Sequence, residues 1–157
     1  MPDPNRQLLR HTVATLAYRC GKTLRNAPPS FADYSGGTRP PVKILAHIGD
    51  LMDWALSSAK GEQKWNDSAP LPWDHEVARF FASIKSFDDY LASDQPAACP
   101  AEKLFQGAIA DALTHTGQLA MLRRMAGCPM KSENYYVADI AAGRVGTEQA
   151  APKREFD

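Results

Sequence analysis

The hydrophobic positions of this chain recur every three to four residues along four long stretches, which is the period of amphipathic helices. These stretches are residues 6–26, 42–59, 73–92 and 101–126. Prolines and glycines separate them, among them Pro28 and Pro29 after the first stretch and Gly127 after the fourth. No stretch shows convincing two-residue alternation, so the pattern predicts an all-α fold, a four-helix bundle.

The last part of the chain, residues 128–157, has weak periodicity. The pattern there allows a short helix around residues 136–142 and otherwise predicts an irregular tail. Nothing marks a linker or an internal repeat. We therefore expect residues 1–157 to form a single domain, which is the usual outcome for a chain of this length.

The fourth predicted helix carries an acid and a histidine one turn apart, Asp111 and His115. Side chains four residues apart lie one above the other on a helix, close enough to bind one cation together. They belong to a row with apolar members: Leu104, Ala108, Asp111, His115, Gln118 and Leu122. An unpaired charge on a buried face is costly, so we expect a metal ion to satisfy this row.

His47 is the candidate for a third ligand, because it lies on the apolar face of the second predicted helix, near its middle. Together, His47, Asp111 and His115 would form a set of two histidines and one carboxylate, which suits zinc, nickel, iron or copper. Three protein ligands leave positions open on an ion, as in catalytic sites. A purely structural pairing of the histidines with the carboxylate is the alternative, and the spacing alone does not decide between the two.

Four further residues are candidates for the pocket or for supporting the ligands. Asp50, one turn after His47, is either the acceptor of a hydrogen bond from an imidazole or an exposed helical carboxylate. Gln118 either orients water or substrate or bonds to a neighbouring helix. His11 and Tyr18 share a face of the first helix and are candidates for the pocket mouth, although an exposed helix position is the commoner outcome for such a histidine.

Eighteen basic and eighteen acidic residues give a formal net charge of zero, which removes the electrostatic argument for nucleic acid as a partner. No apolar run approaches the roughly 20 residues needed to span a bilayer, and the first residues lack the apolar core of a secretory signal. Three cysteines without a CxxC pair do not make a disulfide framework. We therefore expect a cytoplasmic protein that acts on a small molecule and not at a membrane.

Other residues with distinctive chemistry are expected to be structural. Cys20 lies on an apolar stripe and should belong to the core. The tryptophans Trp54, Trp65 and Trp73 are expected to be packing anchors in the core and loops. The chain contains no GxGxxG, P-loop or GxSxG motif, which disfavours nucleotide and serine-hydrolase chemistry.

The segments KILAHIGDLMDWAL and DALTHTGQLAMLRRMAG resemble the two metal-bearing helices of the DinB-like (YfiT-like) metalloenzymes, a bacterial family first noted as DNA-damage-inducible. In that family, one histidine on the second helix and an HxxxH pair on a later helix bind a divalent metal. His47 matches the first histidine, and His115, followed by TGQ, matches the second of the pair. Asp111 stands where the family has the first histidine of the pair. The resemblance covers about residues 6–127, and the tail segment ENYYVADIAAGRVG is similar to one subgroup.

The resemblance implies a homodimeric four-helix bundle that holds one divalent ion, with zinc or nickel as the first expectation and iron or manganese next. It implies metal-dependent transferase or hydrolase chemistry on a small molecule, such as a low-molecular-weight thiol, through metal-activated water or thiol. Relatives include S-transferases that use bacillithiol or mycothiol and a mycothiol-dependent maleylpyruvate isomerase. Two alternatives stay open: a metal-binding stress-response protein without turnover, and a non-haem iron enzyme with oxidative chemistry.

Overall fold

The computed structural model describes residues 3–156, most of which lie in four long helices. The first three helices are Pro4–Leu24, Pro41–Ala59 and Trp73–Ala92. The fourth is continuous but not uniform: it consists of α-helical Ala101–Leu104, π-helical Phe105–Ile109 and α-helical Ala110–Met125. The prediction of an all-α main body is thus confirmed. No helix within residues 3–156 combines the length and the apolar character needed to cross a lipid bilayer.

The ends of the helices follow from the local sequence. Asp3 caps the first helix by accepting a hydrogen bond from the amide of Asn5 at 3.0 Å. The first and second helices begin at prolines, where the missing N–H has no helical partner to lose. Gly61 and Gly127 follow the second and fourth helices with φ of 87° and 75°, a left-handed conformation that favours glycine.

The packing of the four helices brings the second and fourth side by side. The first and second helices each pack mainly against the third and the fourth helices. The first and second helices are therefore diagonally opposite each other in the bundle. The core between them is made of fully buried side chains, including Val13, Leu16, Cys20, Ile48, Met52, Phe80, Ile84, Phe87, Ile109 and Leu119. The core position expected for Cys20 is confirmed, and burial raises the pKa of its thiol to about 12.

The tail differs from the prediction. In place of a short helix over residues 136–142, a single 3-10 turn covers Tyr135–Val137. Two short strands, Ser132–Glu133 and Glu155–Phe156, pair in antiparallel fashion. Strands of two residues are too short to leave an alternating hydrophobic pattern, so the periodicity could not indicate them. The first helix also begins and ends two residues earlier than the predicted span of 6–26.

A buried polar cluster fastens this strand pair to the first helix. The Lys22 ammonium lies 2.6 Å from Oε1 of Glu133 and 2.8 Å from Oε2 of Glu155. The hydroxyl of Tyr18 donates to Oε2 of Glu133 at 2.5 Å. Burial lowers the pKa of Lys22, but the hydrogen bonds and charges of the two glutamates more than offset this, and the pKa is raised. The tail is therefore attached through charge pairing as well as packing.

Candidate metal centre

His47, Asp111 and His115 converge where the second and fourth helices meet. One ligand atom from each side chain lies within 4.8 Å of those from the other two. His47 comes from the second helix, whereas Asp111 and His115 come from successive turns of the fourth. Two imidazoles and one carboxylate in this arrangement could hold a metal ion.

Asp111 lies between the two imidazoles. Its Oδ2 is 3.5 Å from Nε2 of His47, and its Oδ1 is 3.5 Å from Nε2 of His115. Both distances exceed the usual N–H···O hydrogen bond of about 2.7–3.2 Å. They approach the separation of about 3.3 Å between two ligands that each lie about 2.0–2.1 Å from a tetrahedral zinc ion. The donor set and these two separations are therefore compatible with a divalent ion.

The orientation of His115 is set by Gln118, three residues further along the same helix. Nδ1 of His115 is 2.8 Å from Oε1 of Gln118. An amide oxygen only accepts, so Nδ1 donates in this pairing, and Nε2 is the ring nitrogen on the side of Asp111. Partners of this kind orient metal-binding histidines. Gln118 thus bonds to His115 of its own helix, and among the described residues no hydrogen bond joins it to the neighbouring helix considered from the sequence.

The site lies at the rim of the bundle. The side chain of Asp111 is 48% exposed, that of His47 24% and that of His115 13%. The expectation of a buried row on the fourth helix is therefore wrong for Asp111 and Gln118, which face solvent. The row runs along the boundary of the buried face, so its apolar members reach the core while its polar members do not. The centre is open to small molecules because of this position.

The π-helical segment ends directly before the part of the fourth helix that carries Asp111. A π-turn holds about one residue more than an α-turn, so it rotates the following helix by roughly 100° relative to a regular continuation. Such segments are rare in proteins overall, but those that occur are often found at functional sites. Within it, Gly107 packs closely on Trp54, whose ring would lie 3.4 Å from a Cβ placed there. The segment therefore sets the face on which Asp111 and His115 stand.

Trp65 restrains the ring of His47 from the loop after the second helix. The two rings meet edge to face with centroids 5.5 Å apart, and Trp65 also meets Trp54 at 6.3 Å. The rings of His47 and His115 are perpendicular, with centroids 4.7 Å apart. Trp65 is 44% exposed and packs on two neighbouring rings, which agrees with the expected role of a packing anchor in the loop.

Asp50 has different partners from those expected. Its carboxylate is buried and pairs with Arg79, and it accepts hydrogen bonds from the amide and hydroxyl of Ser68 at 2.9 and 2.7 Å. Burial lowers the pKa of Arg79, but the hydrogen bond and charge of Asp50 outweigh it, and the pKa is raised. Asp50 is thus neither an exposed carboxylate nor an acceptor for His47. It joins the loop and the third helix to the second.

The structure does not bring Tyr18 or His11 into the centre. Tyr18 is buried beneath the tail, where desolvation and the hydrogen bond to Glu133 raise its pKa. His11 is exposed on the first helix. Among the described residues, no contact links either side chain to the three candidate ligands. The sequence could indicate which helix face they share but not which neighbour covers that face.

Two open clefts flank the three ligands, one beside His47 with a volume of about 390 Å³ and one beside His115 with about 420 Å³. Both are in the range of small-molecule sites. A cleft of about 460 Å³ opens at the start of the first helix, but no histidine lines it. Its Arg6 is already engaged by carbonyl oxygens at the end of the third helix. The clefts beside the ligands are therefore the better places for a substrate.

Arg39 and Trp65 are the residues near the site that the sequence did not single out for function. Arg39 lines both flanking clefts. Each residue stands in a loop, where helical periodicity carries no information about direction. The available signals were weak: a large aromatic residue in a polar loop, and an arginine next to the prolines that begin the second helix.

No family model, curated protein or solved structure matches this chain. The assignment of the centre therefore depends on its own geometry and donor set.

Proposed function

We propose that this protein binds one divalent metal ion through His47, Asp111 and His115 and acts as a metal-dependent transferase or hydrolase on a small molecule, in the manner of the DinB-like proteins it resembles. The observation that carries the proposal is the convergence of three ligand atoms within 4.8 Å from two helices. The engagement of Nδ1 of His115 by Gln118 supports it, because this leaves Nε2 available for the ion.

Each residue has a distinct role in this proposal. A divalent ion at the centre would supply Lewis acidity and lower the pKa of a bound water or thiol. His47 and His115 provide neutral ligands whose rings are restrained by Trp65 and Gln118. The carboxylate of Asp111 neutralises part of the ion's charge and faces the solvent side, from which a substrate enters. The two clefts then hold the substrate on either side.

Zinc or nickel is the first expectation for the ion, since both accept imidazole and carboxylate ligands. Iron is the basis of the second candidate function, an oxidative enzyme. The observation that favours this second candidate is the donor set itself, because two histidines and one carboxylate with open positions also suit non-haem iron. The openness of the centre favours either enzyme over a binding protein without turnover, in which a closed ligand shell is expected.

The four histidines of the chain offer a matched test of the metal site. In tag-free protein prepared without chelator or nickel resin, zinc affinity is measured by calorimetry and metal content by elemental analysis. His47→Ala and His115→Ala are expected to lower affinity by more than about 100-fold, since loss of supporting partners alone costs 10–100-fold. His11→Ala and His75→Ala, both at exposed positions, should bind as the wild type does. Equal affinity in wild type and His115→Ala would remove the proposed centre.

The carboxylate is tested in the same way. Asp111→Asn should weaken binding, because an amide oxygen is a poorer ligand than a carboxylate for a divalent ion. Asp94→Asn, at an exposed position outside the site, is the control.

The reaction class requires a separate assay. Thiol-dependent conjugation of an electrophile by the zinc or nickel form supports the transferase, whereas oxygen consumption by the iron form supports the oxidative enzyme. A form that binds metal but accelerates neither thiol transfer, ester hydrolysis nor oxygen consumption would count against both.

A further inference from the structure

Arg39 occupies an unusual place beside the centre. It belongs to the lining of the cleft next to His47 and also to that of the cleft next to His115. It is therefore the shared wall of the two spaces from which a small molecule can approach the ligands. A side chain in this place contacts a substrate on either approach.

The charge of Arg39 has no partner within residues 3–156. No hydrogen bond or ion pair of its guanidinium is present there, in contrast to Arg6, Arg10, Arg79 and Arg123, which are all engaged. A guanidinium presents five donors in a planar fork that matches a carboxylate or phosphate. An unengaged fork at the wall of a cleft is available for an anionic group of a ligand.

The loop that carries Arg39 is held in place on both sides. The amide of Val42 donates to the carbonyl oxygen of Ala32 at 3.0 Å. Gly37 lies so close to the fourth helix that a Cβ there would come within 2.8 Å of the side chain of Leu122. Pro40 and Pro41 follow and fix the entry into the second helix. The position of Arg39 relative to both ligand-bearing helices is therefore restrained.

The charges around the cleft add to this preference. Lys43 lines the His47 cleft together with Arg39. The carboxylate of Asp50, also in that lining, pairs with Arg79, which it shares with Asp53 and Glu76. Of the carboxylates that line this cleft, Asp67 alone is exposed. Arg39 and Lys43 are the two cations that this lining presents to an anionic group of a ligand.

The other cleft supplies an apolar surface. Met121 and Met125, which are 56% and 51% exposed, line it together with Ile44. Methionines are unbranched and adaptable, so they accommodate apolar groups of varied shape. The guanidinium of Arg39 and the apolar wall along the fourth helix therefore lie on the same approach to the ligands.

We infer that the substrate is a small organic anion with an apolar body, whose carboxylate or similar group is bound by Arg39 while its reacting group lies at His47, Asp111 and His115. This inference rests on the proposed function, because it assigns the substrate class of that same centre. Arg39 binds and selects the substrate, and Lys43 contributes a weaker, longer-range attraction. The apolar body of the substrate packs on Met121 and Met125.

The test uses cobalt-loaded protein and two series of thiol probes that differ in one terminus. The first series is ω-mercaptocarboxylates of two to six carbons, and the second is the corresponding mercaptoalcohols. The thiol reports binding through the change in cobalt absorption, so affinity is measured without any turnover. We expect the best carboxylate to bind about tenfold or more tightly than its matched alcohol, as charge-assisted hydrogen bonds allow.

Three variants locate the preference. Arg39→Gln should bring the ratio of the two affinities close to one, and Arg39→Lys should leave an intermediate ratio because it keeps the charge and loses the fork. Lys153→Gln, which removes an exposed charge elsewhere, should keep the wild-type ratio. All of these positions are exposed, so the fold should be retained, and circular dichroism checks this.

The outcomes separate the inference from the proposed function. Normal cobalt binding with equal affinity for carboxylates and alcohols would overturn the inference and leave the metal centre intact. The same holds if the preference for carboxylates survives in Arg39→Gln. Failure of cobalt to bind the wild-type protein, or equal binding by His115→Ala, would overturn both.

Discussion

Gln118 accepts a hydrogen bond from Nδ1 of His115 at 2.8 Å, one turn earlier on the same helix. The bond restrains the imidazole with Nε2 toward Asp111. Gln118→Leu should therefore lower zinc affinity by about tenfold, the lower range for loss of such a partner. Gln106→Leu, at an exposed position of the π-helical segment, is the control. Calorimetric titration measures both, and unchanged affinity in Gln118→Leu would contradict the orienting role.

Trp65 should report metal binding by its fluorescence. Its ring centroid lies 5.5 Å from that of His47, so cobalt or nickel bound there is close enough to quench its emission strongly. Trp65→Phe is expected to remove the largest share of metal-dependent quenching. Trp73→Phe should leave this quenching in place, because Trp73 is buried against Phe31 at 5.6 Å and belongs to the core. If the two variants lose the same share, the ion does not bind near His47.

The pair of Asp50 and Arg79 should contribute substantially to stability. Asp50→Ala removes one of the two buried carboxylates, Asp50 and Glu76, that pair with the guanidinium of Arg79, whose side chain is 20% exposed. Removal of one member of a buried ion pair costs about 3 kcal/mol at the lower end of measured values. Asp53→Ala is the matched control: Asp53 contacts the same arginine at 3.3 Å but is 40% exposed, and the cost should stay below about 1 kcal/mol. Urea unfolding measures the two losses, and equal losses would contradict the assignment.

The attachment of the tail should weaken both at low pH and at high pH. The hydrogen bond from Lys22 lowers the pKa of Glu155 below its ordinary value of 4.5. A lowered carboxyl pKa contributes stability that is present above 4.5 and is lost as the pH falls through the lowered value. The pKa of Lys22 is raised above 10.5, so its contribution is present below 10.5 and is lost as the pH rises through the raised value.

Glu155→Gln tests the acid side of this dependence. At pH 7 the variant should melt at a lower temperature than the wild type, and the difference should shrink as the pH falls below 4.5. Glu148→Gln, at an exposed position in the same tail, should show no such difference. A gap between wild type and Glu155→Gln that stays constant from pH 7 to pH 3 would exclude the charge pair as its cause.

The sequence predicted those features that depend on position along a single helix. Asp111 and His115 are neighbours because of helical geometry, and His47 was found because its helix has an apolar face on which a histidine is conspicuous. The predicted bounds of the helices lie close to the observed bounds for the same reason. In each case the relevant periodicity is local, so no knowledge of the partner helix was needed.

The features that escaped prediction depend on contacts between distant segments. Asp50 is buried only because Arg79 and Ser68 come to it from the third helix and the preceding loop. Tyr18 is covered only because Glu133 folds back from the tail. The π-helical segment has no recognised pattern in the sequence, since the residues Phe105–Ile109 would also suit an α-helix. The direction of Arg39 follows from loop packing and not from periodicity.

The half-exposed carboxylate of Asp111 has a consequence for how the centre is filled. An ion can reach it from the surrounding solution without separation of the helices, so loading and release should be rapid and need no unfolding. The metal found in purified protein would then depend on which ions were present during the last purification step as much as on the preference of the three side chains. The identity of an ion bound at the proposed centre is therefore best decided by competition between metals at equilibrium.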